Sequence, residues 1–175
     1  ECVKGLPTVF DPQARPWIRP DGASAEDVAR VVARCPSGAL SAETTNGEAL
    51  VGADADATVA LCADGPLYLR GTVRVLDADG STIAEDTRVA LCRCGASKNK
   101  PFCDNSHVEA GFTDAGAVAR EFEAAEVDAG PITVTLAANG PAITEGAHTI
   151  VDATGTKHPV QKRSALCRCG ASASK

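Results

Sequence analysis

The sequence predicts a small α+β protein that is mostly β. Three observations predict this fold: a capped helical pattern near the start, extended runs separated by turn residues, and an internal repeat. We expect an N-terminal α/β fragment over residues 1–42 and two β-rich modules in tandem, over 58–113 and 130–175. The stretch 114–129, mostly Ala, Gly and acidic residues, is predicted to connect the two modules.

The N-terminal fragment is predicted to contain one helix, over residues 24–35. Ser24 can cap this helix, because Asp27 lies three residues later and completes a capping-box pattern. Apolar residues recur on one face at helical spacing, and Pro36 is expected to end the helix.

Each module is predicted to contain a β-hairpin, because extended apolar runs flank residues typical of turns. The predicted strands are 58–62 and 67–76 around Asp64-Gly65-Pro66, and 132–137 and 142–151 around Asn139-Gly140. A further short extended run is expected over residues 81–84.

Composition restricts the possible functions. The formal charge of −6 at pH 7 argues against a nucleic-acid-binding face, which would be basic. No apolar run of about 20 residues predicts a membrane span, and no leader pattern predicts secretion, so we expect a cytoplasmic protein. The chain has no Met and opens with Glu1-Cys2. We therefore expect it to be cut at the N-terminus, where a targeting segment could have been lost.

The repeat is exact in its spacing. Residues 65–100 align with 140–175 at a constant offset of 75, and 16 of the 36 aligned positions are identical by direct comparison. The run 90–97 is identical to 165–172. The second copy stops at Lys175, which aligns with Lys100. It therefore holds two of four expected ligands, and we expect truncation at this end as well.

The eight cysteines include two close pairs, Cys92 with Cys94 and Cys167 with Cys169. One intervening residue makes a disulfide within either pair strained, whereas paired thiolates suit a metal. The first pair continues into Cys103 and His107, giving Cys-x-Cys-x8-Cys-x3-His. Three Cys and one His also form a common structural zinc set, so spacing alone favours zinc over an iron–sulfur cluster.

A short helix over residues 105–110 is predicted after Cys103, with Asp104 as its cap. Such a helix places Cys103 and His107, four residues apart, on one face. Its first N–H groups would point toward an anionic group bound there.

The whole run from Cys92 to His107 resembles the signature of the CDGSH iron–sulfur family. Ser97, Pro101 and Asp104 occupy the positions that this signature requires, whereas Asn105 stands where the family usually has Gly. Asn tolerates a left-handed backbone, so we expect the loop to keep its shape.

This resemblance implies a 2Fe–2S cluster, and it reverses the preference for zinc. Cys92 and Cys94 would bind one iron, and Cys103 and His107 the other. Cys167 and Cys169 would be the matching half of a second site. The resemblance also implies that two such modules pair around a two-fold axis, which a tandem chain can achieve within one molecule.

Residues 2–41 resemble the divergent mono-cluster ferredoxin domain, chiefly through Cys2 and the Cys35-Pro36 pair. The resemblance implies that Cys2 and Cys35 are ligands of a 3Fe–4S or 4Fe–4S cluster. The alternative is that Cys35 is a buried thiol on the apolar face of the helix.

Several other polar residues have less specific interpretations. His148 and His158 are expected to face solvent, and Cys62 to lie in the core. Basic residues near the first site can balance the charge of a cluster, dock a redox partner, or form an ordinary solvated face; these are Arg88, Arg93, Lys98 and Lys100.

The sequence therefore predicts an iron–sulfur protein that transfers electrons and is not an enzyme. Its expected partner is a redox protein, with no nucleic acid or membrane involved. The alternatives are a cluster donor to an apo iron–sulfur acceptor, a cluster sensor, and a zinc-stabilised interaction module. No Ser–His–Asp order, phosphate-binding loop or paired-carboxylate motif indicates another chemistry.

Overall fold

The computed structural model describes residues 2–118 and 121–172, and these residues form a mostly β protein with short helices, as the sequence predicts. The chain divides into two compact units, Glu1–Gly52 and Ala53–Lys175. Among the described residues, no helix combines the length and apolar character needed to cross a lipid bilayer.

The first unit contains two helices, α1 (Cys2–Gly5) and α2 (Ala25–Val32), with a 3₁₀ turn at Pro20–Gly22 between them. Its core is a small apolar cluster built from both helices and the intervening chain. The fully buried members are Val9, Phe10, Val31 and Val32. Because each buried side chain of this kind contributes about 1.5–3 kcal/mol, this core is modest.

Helix α2 begins as predicted and ends earlier. The Ser24 hydroxyl accepts a hydrogen bond from the Asp27 N–H at 3.1 Å and donates to the Asp27 carboxylate at 2.8 Å. The expected end at Cys35 is wrong, because the helix stops at Val32. The N–H groups of Arg34 and Cys35 bond to carbonyls three residues back, which tightens the last turn into 3₁₀ geometry.

The second unit is built around one six-stranded sheet, within the part of the chain that the structure describes. Both predicted hairpins are confirmed by antiparallel pairing of their strands. The elements in chain order are β1 (Thr58–Leu61), β2 (Leu67–Leu76), β3 (Thr82–Leu91), α3 (Ser106–Glu109), β4 (Ile132–Leu136), β5 (Ala142–Val151) and β6 (Gln161–Leu166).

The two modules interlock through parallel pairing of β1 with β5 and of β2 with β4. The registers of these two pairings are equivalent: Thr58 faces Thr149 in one, and Arg74 faces Thr133 in the other. Adding 75 to Thr58 gives Thr133, and subtracting 75 from Thr149 gives Arg74. The sheet therefore has an internal pseudo-two-fold arrangement.

Two equivalent glycines bend the long strands of this sheet. Gly71 and Gly146 have φ values of 110° and 104°, which L-residues rarely adopt. A Cβ at Gly146 would lie 2.7 Å from the carbonyl oxygen of Pro131, and one at Gly71 would lie 3.0 Å from Ala57. The register shifts that follow both glycines are β-bulges, which let each strand pair with one neighbour and then another.

The expectation that His148 faces solvent is wrong. Its side chain is 1% exposed, and its ring nitrogens lie 2.8 Å from the Gly146 carbonyl and 2.8 Å from the Ser164 hydroxyl. In the repeat, His148 occupies the position of Val73, a core residue of β2, so the sheet buries it. Burial lowers the pKa of His148, although its bond to Gly146 opposes the shift.

Two further positions differ from expectation in degree. His158 is half-buried, with Nε2 3.4 Å from the Asp152 carboxylate and its ring edge-on to Phe122. Cys62, expected in the core, is also half-buried, because it lies in the turn after β1 and not within the strand.

Candidate metal centre

The end of β3 positions the first ligand pair. The strand ends at Leu91, and the chain continues directly into Cys92 and Cys94. The Cys92 N–H donates to the Pro101 carbonyl at 2.8 Å, and the Cys103 N–H donates to the Ala90 carbonyl at 2.9 Å. The chain thus folds back beside the strand end, which brings Cys103 next to the first pair.

The four predicted ligands form two pairs. The sulfur atoms of Cys92 and Cys94 lie 3.7 Å apart, and the sulfur of Cys103 lies 3.5 Å from Nδ1 of His107. Two thiolates at about 2.3 Å from one tetrahedral metal lie about 3.8 Å apart, and a thiolate and an imidazole about 3.6 Å apart. Each pair therefore has the spacing of two ligands on a single metal.

The second pair is set by a tight turn into α3. The Asp104 carboxylate accepts hydrogen bonds from the N–H groups of Ser106 at 3.0 Å and Lys98 at 2.8 Å. Bonds from the hydroxyl and N–H of Ser106 hold the pKa of Asp104 well below its usual range. Asn105 has φ 69°, which confirms the left-handed backbone expected there, and α3 begins one residue later than predicted, at Ser106.

Ser97 is buried inside the loop and stabilises it by hydrogen bonds. Its hydroxyl donates to the Phe102 carbonyl at 2.7 Å and accepts from the Asn99 N–H at 3.0 Å. These bonds hold the loop between Cys94 and Cys103 in a closed shape.

Burial raises the pKa of the Cys103 thiol, and neighbouring thiols of Cys92 and Cys94 raise it further. The pKa of Cys62 is also raised, mainly by burial. A metal that binds Cys103 must therefore displace a proton, which makes loading of this site dependent on pH.

The second half-site has the same local geometry. Cys167 and Cys169 follow β6, and their sulfur atoms lie 3.6 Å apart. Burial of Cys167 opposes its ionisation, but hydrogen bonds from the Cys169, Ser172 and Gly170 region outweigh this and lower its pKa. The backbone around Cys167 therefore stabilises the thiolate form of this residue.

The two loops are direct neighbours. Cys94 and Cys169 face each other in an antiparallel bridge. Gly95, with φ 77°, leaves space for this approach, since a Cβ there would lie 3.4 Å from the backbone of Cys169. A cleft of about 680 Å³ opens between the loops, and Cys92, Cys167 and Cys169 are among its lining residues.

Arg93 was left open in the sequence analysis between balancing the charge of a cluster, docking a partner and lying on a solvated face. The structure excludes the solvated face, because Arg93 is 2% exposed. Its Nε donates to the Gly65 carbonyl at 3.0 Å, and one terminal nitrogen lies 2.6 Å from the Asp114 carboxylate. Arg168 repeats the first contact, donating to the Gly140 carbonyl at 3.0 Å. The signal was available, because both the Arg and its Gly partner recur at the offset of 75.

The remaining basic residues near the first site differ in burial. Arg88 is buried, whereas Lys98 and Lys100 are exposed. The alternative of an ordinary solvated face therefore holds only for the two lysines of this group.

The two predicted ligands of the first unit lie in different elements. Cys2 is half-buried in α1, beside the apolar cluster of that unit. Cys35 is half-buried beyond the end of α2, and its sulfur lies 3.6 Å from the Ser37 hydroxyl. Across residues 2–118 and 121–172, no three His, Cys, Asp or Glu side chains are grouped around a single-ion position.

The spacing of the thiol and imidazole pairs is that of metal ligands, and comparison with protein families indicates which metal centre they suit. Residues 64–108 match the family described as iron-binding zinc finger CDGSH type, and residues 1–44 match the family described as divergent 4Fe-4S mono-cluster. Both resemblances found in the sequence are confirmed. These matches support an iron–sulfur protein, in which residues 64–108 are similar to the CDGSH type and residues 1–44 to the mono-cluster domain.

Two curated proteins share part of this sequence. Uncharacterized protein YjdI of Escherichia coli strain K12 is 44% identical over 39 residues, which cover 22% of this chain and 51% of that protein. The protein of the same name from Escherichia coli O157:H7 matches with the same identity and coverage. The chain thus spans about half the length of these relatives.

Proposed function

We propose that Cys92, Cys94, Cys103 and His107 hold a 2Fe–2S cluster, and that the protein carries single electrons and has no substrate of its own. The observation that carries this proposal is the pairing of the ligands, at 3.7 Å and 3.5 Å. Two such pairs suit two metals, each with two protein ligands. Three soft thiolates and one imidazole are also a suitable donor set for iron–sulfur ligation.

The placement of the ligands supports an electron carrier. Cys92 is 4% exposed just after β3, whereas Cys94, Cys103 and His107 are half-buried, and His107 lies within α3. Val108, the next residue of that helix, is 72% exposed. A bound cluster supplies one-electron redox chemistry, and this placement brings its His-ligated side close to a redox partner at the surface.

His107 sets the electronic character of the proposed site. Imidazole carries no charge where thiolate carries one, so replacing thiolate by His raises the potential of an iron–sulfur centre. We expect His107→Cys to retain a cluster with a lower reduction potential, measured by redox titration of the visible spectrum. An unchanged potential in a variant with normal iron and sulfide content would contradict ligation by His107.

Cluster donation is the second candidate, favoured by the short helix that carries the His ligand. Helix α3 has four residues, and none of them is buried. Imidazole accepts a proton in mild acid and then cannot bind iron, so His107→Cys should slow cluster loss at pH 6. Equal loss rates would remove this candidate, and transfer to an apo-ferredoxin separates a donor from a carrier.

We further propose that Cys2 and Cys35 contribute to a 3Fe–4S or 4Fe–4S cluster in the first unit, and that the protein acts in the cytoplasm. The family match over residues 1–44 supports the first proposal. An EPR signal that is lost in Cys35→Ser and kept in Cys92→Ser would identify this second centre.

A further inference from the structure

We propose that the buried ion pair between Arg93 and Asp114 is the positioning element of the first metal site, holding the two ligand pairs at a fixed separation. This inference rests on the proposed function, because the separation matters only if one cluster bridges both pairs. Arg93 would act through the loop and the cluster environment, not as a ligand.

Arg93 anchors the first pair to the sheet. It lies between Cys92 and Cys94 in the chain, and its guanidinium is directed inward. It donates to the carbonyls of Gly65, at 3.0 Å, and Cys62 in the turn between β1 and β2. The backbone that carries both thiols is therefore fixed to this turn.

Asp114 connects the same guanidinium to the second pair. Its carboxylate lies 2.6 Å from the Arg93 guanidinium, and the two side chains are 2% and 9% exposed. Asp114 closely follows α3, which carries His107. The Phe112 N–H donates to the His107 carbonyl at 3.0 Å, and the Arg93 guanidinium lies 5.4 Å from the centre of the Phe112 ring. The Arg93 side chain thus contacts both the turn between β1 and β2 and the segment that follows α3.

Asp114 is itself held in place from two directions. Its N–H donates to the Asp64 carboxylate at 2.7 Å, while the Asp64 N–H donates back to the Asp114 carbonyl at 2.8 Å. Its carboxylate also accepts from the Gly116 N–H at 2.8 Å. The Asp114 carboxylate therefore cannot move with Arg93 if the loop shifts. The ion pair thus has a fixed position.

The carbonyl contacts alone are a property of the repeat. Arg168 donates to Gly140 at 3.0 Å and to Ala137 at 2.6 Å, at positions equivalent to Gly65 and Cys62. The Asp114 contact is additional to these, and it ties the strand end to the segment beyond α3. We therefore assign the spacing role to Asp114 and the anchoring role to Arg93.

Charge gives the proposal a second consequence. Asp114 neutralises a buried cation beside the site, and reduction of a bound cluster adds one negative charge. Asp114→Asn leaves the Arg93 charge uncompensated, which stabilises the reduced cluster. Its reduction potential should therefore rise, whereas Asp114→Glu, which keeps the charge, should leave the potential unchanged.

The test compares Asp114→Asn with Asp54→Asn in the otherwise intact chain. Asp54 forms an ion pair with Arg70 at 3.3 Å, but this pair is 33% and 51% exposed. With excess chelator at pH 8, Asp114→Asn should lose its visible absorbance about tenfold faster than wild type, in line with other residues that support metal ligands. Asp54→Asn should differ less than about twofold from wild type, because exposed pairs contribute little.

Asp114→Glu keeps the charge and displaces the carboxylate. It should lose the cluster faster than wild type at an unchanged potential, and it replaces Asp114→Asn if that variant does not fold. The proposal is overturned if both Asp114 variants match wild type in loss rate and potential while wild type contains iron and sulfide. Zinc without sulfide in wild type would instead refute the proposed function itself.

Discussion

The two Cys-Arg-Cys loops share eight identical residues but are seated differently in the second unit. Cys92 is buried, whereas Cys167 is half-buried. Arg93 is buried, whereas Arg168 is only partly so. The first loop is covered by its own continuation, through the Pro101 carbonyl and the segment around Asp114. The comparison teaches that the shared local sequence sets the spacing of a thiol pair, since the two sulfur atoms lie 3.7 Å apart in the first loop and 3.6 Å apart in the second.

The cores beneath the two loops also differ. Val73 and Val89 are buried in the first module, and the aligned residues of the second are His148 and Ser164. The second module thus replaces an apolar contact with a hydrogen-bonded one at 2.8 Å. The strand geometry is the same in both, so the sheet tolerates either solution provided that the polar atoms are paired.

The largest expected effect separates the two loops directly. Cys92→Ser should abolish the 2Fe–2S signal, because Ser cannot supply the thiolate that the first pair needs. Cys167→Ser should leave that signal in place. Iron and sulfide content and EPR spectra of both variants check this difference. A signal lost equally in both variants would mean that the loops form a single site.

A smaller effect concerns the bulge that lets β5 change partners. Gly146→Ala should destabilise the fold by about 2–4 kcal/mol, because the left-handed backbone and the 2.7 Å approach to Pro131 both oppose a Cβ. Gly155→Ala is the control, since its φ of 87° is similarly strained but a Cβ there meets nothing within 4 Å.

Urea unfolding curves provide the comparison for these two glycines. A control cost as large as that of Gly146→Ala would show that backbone strain accounts for the whole effect. A clearly smaller cost, near 1–2 kcal/mol, would assign the difference to the close approach.

The smallest expected effect is a pH dependence confined to the second module. Burial lowers the pKa of His148 in the folded state, so the unfolded chain takes up its proton first as the pH falls. The free energy of unfolding should therefore decrease below about pH 6.5, by at most about 1.4 kcal/mol per pH unit.

The double variant His148→Val with Ser164→Val reproduces the first module's Val73 and Val89. It should remove this part of the pH dependence and keep the fold, as judged from unfolding curves between pH 5 and 8. An identical pH dependence in the double variant would show that other groups are responsible.

The sequence was most informative where the signals are local. The hairpins followed from turn residues, and the thiol spacing followed from the Cys-x-Cys-x8-Cys-x3-His pattern. The third strand was underestimated as residues 81–84, because β3 (Thr82–Leu91) begins with exposed residues and only its last four are buried. The full length of β3 results from its pairing with β2 and is not indicated by its own sequence pattern.

The burial of two polar residues depends on tertiary contacts. His148 was expected at the surface and the position of Arg93 was left open, because His and Arg side chains are seldom fully buried. Both are buried because the fold brings specific partners to them, Asp114 for Arg93 and Ser164 for His148. The burial of His148 was indicated only by the alignment of the repeat, which places His148 at the position of the buried Val73.

Metal and sulfide analysis of the freshly purified chain tests the central claim most directly. If Cys92, Cys94, Cys103 and His107 hold a 2Fe–2S cluster, the protein is red-brown, and Cys92→Ser removes two iron and two acid-labile sulfide per chain relative to wild type. A colourless protein that contains zinc and no acid-labile sulfide would contradict the account.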